Sequence, residues 1–331
     1  MNGYITLDYE LGMGQSGTQE NCLFEPMRHL TAMLDKYGVK TNLFVDTAYL
    51  LQLKKLKDQY PQLQKDYDAV IGHLRQLDSE GHALQLHLHP QWCYSNYDGK
   101  KWILDKKHFK LSDMSLEEQK QLIHEGVALL NSIGTRKVNA FRAGGFSVEN
   151  FPELYDTFLA EGITVDSSVF RGERLKTQYH DYDYRKIPMK SSYQFYQDHK
   201  KEDPKGQMRE YPLSTLVIDA FSYLWMKKAK HPEYAHLTVS KKKWGDAVGI
   251  GYPGGKLNVL KIKLKMLLGT KSICTYIEHD ENIEKVYNYS TKKYEGDDFV
   301  IIGHPKCLTP YSIEILEIFI KNHPEISFKL F

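Results

Sequence analysis

The chain has 331 residues, 41% of them hydrophobic and 26% charged, with a formal net charge of +2. That length suits one large α/β domain or two smaller ones, and the composition excludes a disordered chain. A charge so near zero gives no whole-protein pull toward nucleic acid or a membrane surface. In chain order, Tyr4 to Asp8 (YITLD) reads as a strand, and Pro26 to Lys36 has helical spacing that stops at Gly38. Val39 to Val45 (VKTNLFV) reads as the next strand, followed by polar helical stretches near 47–59 and 66–79. Ala83 to Leu88 (ALQLHL) alternates as a strand does. Ser115 opens a helix with Glu118 three residues on, a capping-box spacing, and that helix ends near Gly134. Val138 to Phe141, Ile163 to Val165 and Phe299 to Ile302 read as further strands, and Pro310 to Asn322 as a closing amphipathic helix. Strands alternating with helices mean parallel βα units.

No run of about 18 apolar residues is present, so no membrane-spanning helix is expected. The opening MNGYITLDYELG lacks the basic and apolar regions of a signal peptide, and Asn2 breaks the myristoylation pattern. Cys22, Cys93, Cys274 and Cys307 are scattered and make no disulfide framework. These features give the expectation of a soluble, reduced, cytoplasmic protein.

From about 170 to 297 the rhythm breaks. This stretch is rich in Tyr and Lys and reads as a long insertion between late strands of one domain spanning 1–331. Between Lys227 and Lys271 eleven lysines stand against two acids, Glu233 and Asp246. That excess fits a solvated basic face, or peripheral contact with a membrane surface or an anionic glycan. Gly249, Gly251 and Gly254 match GxGxxG by spacing, but no apolar strand precedes them and Pro253 interrupts. Gly255-Lys256 resembles the end of a P-loop, yet Ile250 and Leu257 stand where Gly and Ser or Thr are required.

Polar residues of ligand type recur at the ends of the apolar runs. YITLD ends in Asp8, with Glu10 two residues on; ALQLHLHP ends in His87 and His89; VNAFRAGG ends in Arg142 and the Gly144-Gly145 pair. ITVDSS ends in Asp166, and FVIIGHP ends in His304. Each alone also fits a structural role: loop acids, a helix cap, a packed histidine. In a βα barrel, however, the C-terminal ends of all strands meet on one face, so five such endings converge. Residues i and i+2 of a strand share a side, which lets His87 and His89 offer two imidazoles to one metal. Trp92, Tyr94 and Tyr97 follow this motif and either stack on sugar rings or pack.

The ordered set, from residue 4 to about 305, resembles the polysaccharide deacetylase (NodB-homology, carbohydrate esterase family 4) superfamily. The phrases TLDYELG, VKTNLFVD, QLHLHPQW, FRAGGFS and GHPK are similar to those of a non-secreted bacterial branch linked to surface polysaccharide. The resemblance implies an α/β fold, a distorted (β/α)7 TIM-like barrel with the long insertion between late strands. It also implies one divalent metal, zinc first among the transition metals, and removal of N- or O-acetyl groups from a sugar or polysaccharide substrate. By the resemblance Asp8 matches the catalytic base. Tyr9 stands where the family's metal-binding Asp follows that base, and Glu10 looks like its substitute. His87 matches the first histidine of the second motif. Gln91 occupies the place of the second, and His89 looks like the replacement. Arg142 matches the arginine that orients the base, Asp166 the acid that supports the catalytic histidine, and His304 the general acid. Trp92, Tyr94, Gly144 and Gly145 are the expected substrate contacts. No nucleic-acid partner is expected, and the oligomeric state is open. Two other readings remain: an amide or cyclic-imide hydrolase on the same barrel, and a glycan-binding relative without activity.

Overall fold

Periods of two and of 3.6 residues alternate along the chain. They become strands and helices in the computed structural model, which describes residues 1–12, 17–219, 221–222, 232–245 and 270–331. Nine strands form the main sheet: β1 (Asn2–Tyr9), β2 (Asn42–Asp46), β3 (Ala83–Leu88), β4 (Ala140–Ala143), β5 (Val165–Asp166), β6 (Tyr193–Phe195), β7 (Met208–Glu210), β8 (Asp298–Gly303) and β9 (Ser327–Phe328). Their order is β6-β7-β5-β4-β3-β2-β1-β8, with β9 also pairing β1. The seven strands from β7 to β8 along this order are mutually parallel, and β6 is antiparallel to β7. This is the distorted βα barrel expected from the sequence. The seam between the end of β7 and β8 is held by few bonds. Ser214 N donates to Val300 O at 3.3 Å, Val300 N to Ser214 Oγ at 2.9 Å, and Ile302 N to Thr275 O at 3.2 Å.

The helices lie along the outside: α1 (Glu25–Asp35), α2 (Thr47–Leu56), α3 (Pro61–Ser79), α4 (Leu116–Ile133), α5 (Phe151–Ala160), α6 (Ile283–Lys293) and α7 (Pro310–Asn322). The capping box of α4 forms as the sequence predicts, with Ser115 N on Glu118 Oε2 at 2.9 Å and Glu118 N on Ser115 Oγ at 3.4 Å. A strand buried on both faces reads as a continuous apolar run, which makes β2 and β8 visible in sequence, whereas β3 is visible by its alternation. No helix among the described residues is long and apolar enough to cross a membrane.

Aromatic rings fill the N-terminal end of the barrel. Phe331 stacks on Tyr4, with centroids 4.7 Å apart, and packs edge-on to Phe44 at 6.2 Å, while Tyr211 lies 5.0 Å from it. The opposite end, where the strands finish, carries buried polar and charged side chains instead: Asp8, Asp46, His87 and Arg142. The expected insertion is narrower than its predicted bounds, since β6 and β7 within it belong to the main sheet. Each is three residues long, too short to show a period in sequence. Both glycine motifs and the greater part of the basic tract from 227 to 271 lie outside the described residues.

Candidate active site

Register brings the strand-end side chains together. Asp46 of β2 is level with His87 of β3, and His87 with Arg142 of β4. Asp8 lies near the end of β1, and Glu10 follows two residues on, on the same side. Arg142 is fully buried, with its guanidinium 4.2 Å from the centroid of the Phe44 ring. Its three nitrogens all donate: Nη1 to Asp8 Oδ1 at 2.6 Å, Nη2 to Thr6 Oγ1 at 2.9 Å and Ser167 Oγ at 3.1 Å, and Nε to Ser167 O at 2.9 Å. Burial pushes the Asp8 carboxyl up; Arg142, with His87 and His304, outweighs it and holds the group below the usual carboxylate range.

Beside this pair, Glu10, His87 and His89 converge, with one ligand atom from each lying within 4.8 Å of the others. The two Nε2 atoms are 3.1 Å apart, and His87 Nε2 is 3.3 Å from Glu10 Oε2, which also contacts His89 Nε2. His87 Nδ1 donates to the Arg142 carbonyl at 2.8 Å, which turns its Nε2 lone pair inward. The ring completing the cluster thus comes from His89. Gly144 makes room for it: a Cβ there would stand 2.3 Å from Leu88 O and 2.8 Å from His89 Nδ1.

Across the mouth, His304 directs Nε2 toward Asp8 Oδ2 at 3.5 Å and Glu10 Oε1 at 3.8 Å. Its Nδ1 donates to Glu278 Oε1 at 2.6 Å, and its backbone N–H to Glu278 Oε2 at 3.3 Å. Burial lowers the imidazole's proton affinity, and the Glu278 charge more than restores it, so the pKa is raised. Lys306, two residues on, donates from Nζ to Glu10 Oε1 at 2.6 Å and to Leu11 O at 3.0 Å.

Three of these groups were missed in sequence. Asp46 ends the apolar run NLFVD in the same way Asp8 ends YITLD, so the same signal was available. Its Oδ1 accepts the His89 N–H at 3.2 Å, its Oδ2 has no partner among the described residues, and burial raises its pKa to about 6. Lys306 was in view within GHPK. Glu278 gave no signal, because it lies in a short 3-10 stretch of the insertion (Ile277–Asn282), and the strand before it, Thr270–Cys274 (TKSIC), is no apolar run.

Asp166 does not support His304; that partner is Glu278. Strand alternation is the reason. Val165 packs inward on Phe44 and Ala140, so Asp166, level with Phe141, faces the other side of the sheet. There it accepts from Ser168 Oγ at 2.6 Å and lies in register with Glu210 of β7. Burial lifts Asp166 to about 6 and Glu210 well above the usual range. Trp92 is no sugar platform: it is 0% exposed and packs against Tyr49 and Trp102. Tyr97 likewise packs on Tyr60 and Trp102. Tyr94 stacks on His108 at 3.8 Å and donates to Glu118 at 3.1 Å; these contacts join it to α4 and not to the cluster. Gly144 is buried beneath His89, and Gly145 takes φ +56° where a Cβ would meet the His180 ring at 2.9 Å, so the pair serves close packing.

The donor set fits a divalent cation. Two imidazole nitrogens and one carboxylate oxygen, all buried, form a combination that zinc and similar ions accept. The charge around it points the same way. Asp8, Glu10, Asp46 and Glu278 face two permanent cations, Arg142 and Lys306, so the carboxyl groups outnumber the cations even with His304 protonated, and that surplus suits a dication.

No protein-family model matches the chain, and no curated protein matches it. Among solved structures it is similar to a polysaccharide deacetylase from Bacillus cereus, at 11% identity over 99% of this chain and 89% of that one, TM-score 0.37. It is also similar to an allantoinase, at 11% identity over 98% and 84% of the two chains, TM-score 0.45. A third is a GH57 branching enzyme from Thermococcus kodakaraensis, at 10% identity over 99% and 70%, TM-score 0.47. Such likenesses concern the path of the chain; the side-chain roles rest on the geometry of this site.

Proposed function

We propose that this chain is a metal-dependent hydrolase that removes acetyl groups from a sugar or polysaccharide, in bacterial surface-polysaccharide metabolism. The observation that carries the reading is the convergence of Glu10, His87 and His89 between an arginine-held Asp8 and a glutamate-held His304. Glu10, His87 and His89 would hold the cation, zinc by its ligand preferences. When bound it supplies Lewis-acid polarisation of the acetyl carbonyl and activation of water.

The protein's own groups divide the proton transfers. Asp8 keeps one oxygen on Arg142 and turns the other toward the interior, so it stays ionised and takes a proton from the attacking water. His304 donates its Nδ1–H to Glu278, which favours the imidazolium, and from that charged form Nε2–H delivers a proton to the departing amine or alcohol, leaving the neutral Nδ1–H ring. Asp8 is held low and His304 is held high, the separation an acid–base pair requires.

The test is zinc-loaded protein with N-acetylated and O-acetylated oligosaccharides, acetate release being the readout, beside Asp8→Asn and His304→Gln. Acetate release that both substitutions abolish while the metal is retained supports the proposal. Metal binding with no acetate released, and ring opening of allantoin instead, moves the reading to the cyclic-imide hydrolases. No metal bound leaves a glycan-binding protein.

A further inference from the structure

Resting on that metal reading, we propose that Lys306 is a positioning residue: it restricts Glu10 to one-oxygen ligation and so tunes the site against hard cations. Lys306 stands in the short turn Pro305–Cys307 and its side chain is only 13% exposed. Its ammonium bonds Glu10 Oε1 at 2.6 Å and Leu11 O at 3.0 Å. The two acceptors belong to consecutive residues, so one side chain pins both the carboxylate and the backbone that carries it. The other oxygen, Oε2, alone faces His87 Nε2 and His89 Nε2.

A carboxylate whose second oxygen is held in a charge-assisted bond is a one-oxygen ligand. Two imidazoles and one such oxygen suit zinc or cobalt(II) at low coordination number. Calcium and similar hard ions gather six to eight oxygens and favour carboxylates that bind through both, which Lys306 prevents here. The lysine also places a positive charge near the cation, which disfavours every dication alike. Geometry and charge therefore leave different signatures: charge shifts all affinities together, whereas geometry shifts them selectively and changes the coordination.

The experiment is cobalt(II) and calcium titration of the full chain and of Lys306→Met, followed by the visible cobalt spectrum, with zinc affinity by chelator competition. The unsubstituted chain is expected to give the intense visible bands of a low-coordinate site. In Lys306→Met these bands weaken several-fold as Glu10 turns to bind through both oxygens. The calcium-to-zinc affinity ratio rises by about tenfold, the lower end of what partners behind metal ligands contribute. Lys306→Arg retains a cation donor for Oε1 and restores the original spectrum, which separates positioning from a folding defect. An unchanged spectrum with zinc and calcium affinities rising together refutes the positioning role and leaves charge alone. Failure of the unsubstituted chain to bind cobalt or zinc refutes the metal reading itself, and the proposal with it.

Discussion

Replacing Gly144 with alanine perturbs the site without touching any ligand. The added methyl would lie 2.3 Å from Leu88 O and 2.8 Å from His89 Nδ1. Ordinary contact lies near 3.5 Å, so roughly 1 Å must be found between β4 and the end of β3. Leu88 is paired with Ala143 at that point, and His89 is the next residue, so the movement passes directly to the third member of the cluster. Metal sites tolerate ligand displacements of about 0.2 Å, far less than this. The overpacking itself costs about 1–3 kcal/mol of stability. Gly144→Ala is therefore expected to fold with a lowered urea midpoint and to lose zinc affinity by at least about tenfold. Gly145→Ala is the control. It must hold φ near +56° at a cost of about 1–2 kcal/mol, but among the described residues its close contact is the side chain of His180. Its zinc affinity stays within a factor of two or so of the original if the packing argument is right. Competition with a chromogenic chelator measures both. A folded Gly144→Ala protein that binds zinc as tightly as the parent would refute the reasoning.

Two further outcomes follow from the buried networks. Arg142→Lys keeps the positive charge but leaves a single ammonium where four hydrogen bonds served Asp8, Thr6 and Ser167, and it is expected to cost about 2–3 kcal/mol in chemical denaturation, because buried acceptors are left unpaired; a loss under about 1 kcal/mol would count against the network. The Asp166–Glu210 pair predicts a pH dependence. Asp166 is raised from 3.8 to about 6 in the folded chain, so its contribution is fully present below pH 4 and is lost as pH rises through 6, a change of about 3 kcal/mol. Glu210 is raised too, so its contribution has the same sign. Glu210→Gln keeps an N–H donor for Asp166 and removes the second acid; its urea midpoint should fall less than the parent's between pH 4.5 and 7.5, and parallel curves would refute the contribution of Glu210.

What could be read from the sequence followed the regularity of the backbone. β1, β2 and β8 are apolar runs buried on both faces and β3 alternates, and the side chains near their ends lie together in the structure: Asp8 with Arg142, Glu10 with His87 and His89. The β5 ending failed because a strand of two residues carries no periodicity that reveals which side faces inward, and Asp166 points outward. Trp92 failed for another reason. An aromatic after a ligand motif looks the same whether it is exposed or wedged between Tyr49 and Trp102. Glu278 was out of reach, because its place beside His304 depends on a chain path that returns to the barrel mouth after a stretch with no clear period.

That last failure says something about how the site is built. The group proposed as base is held by elements of the barrel alone: Asp8 and Thr6 on β1, Arg142 on β4, and Ser167 just after β5. The group proposed as acid depends on Glu278, which reaches His304 from the insertion, within a segment bonded to β8 through Thr275. Changes in the insertion should thus reach the proton-donating half of the reaction and leave the arginine-held carboxylate undisturbed. The cation cluster lies between the two, with Glu10 tied to Lys306 on the His304 side and His87 tied to the Arg142 carbonyl on the other. A displacement of either half then reaches the ligands through a single hydrogen bond. For that reason metal affinity, more than activity on any one substrate, is the sensitive measure of whether the halves are assembled.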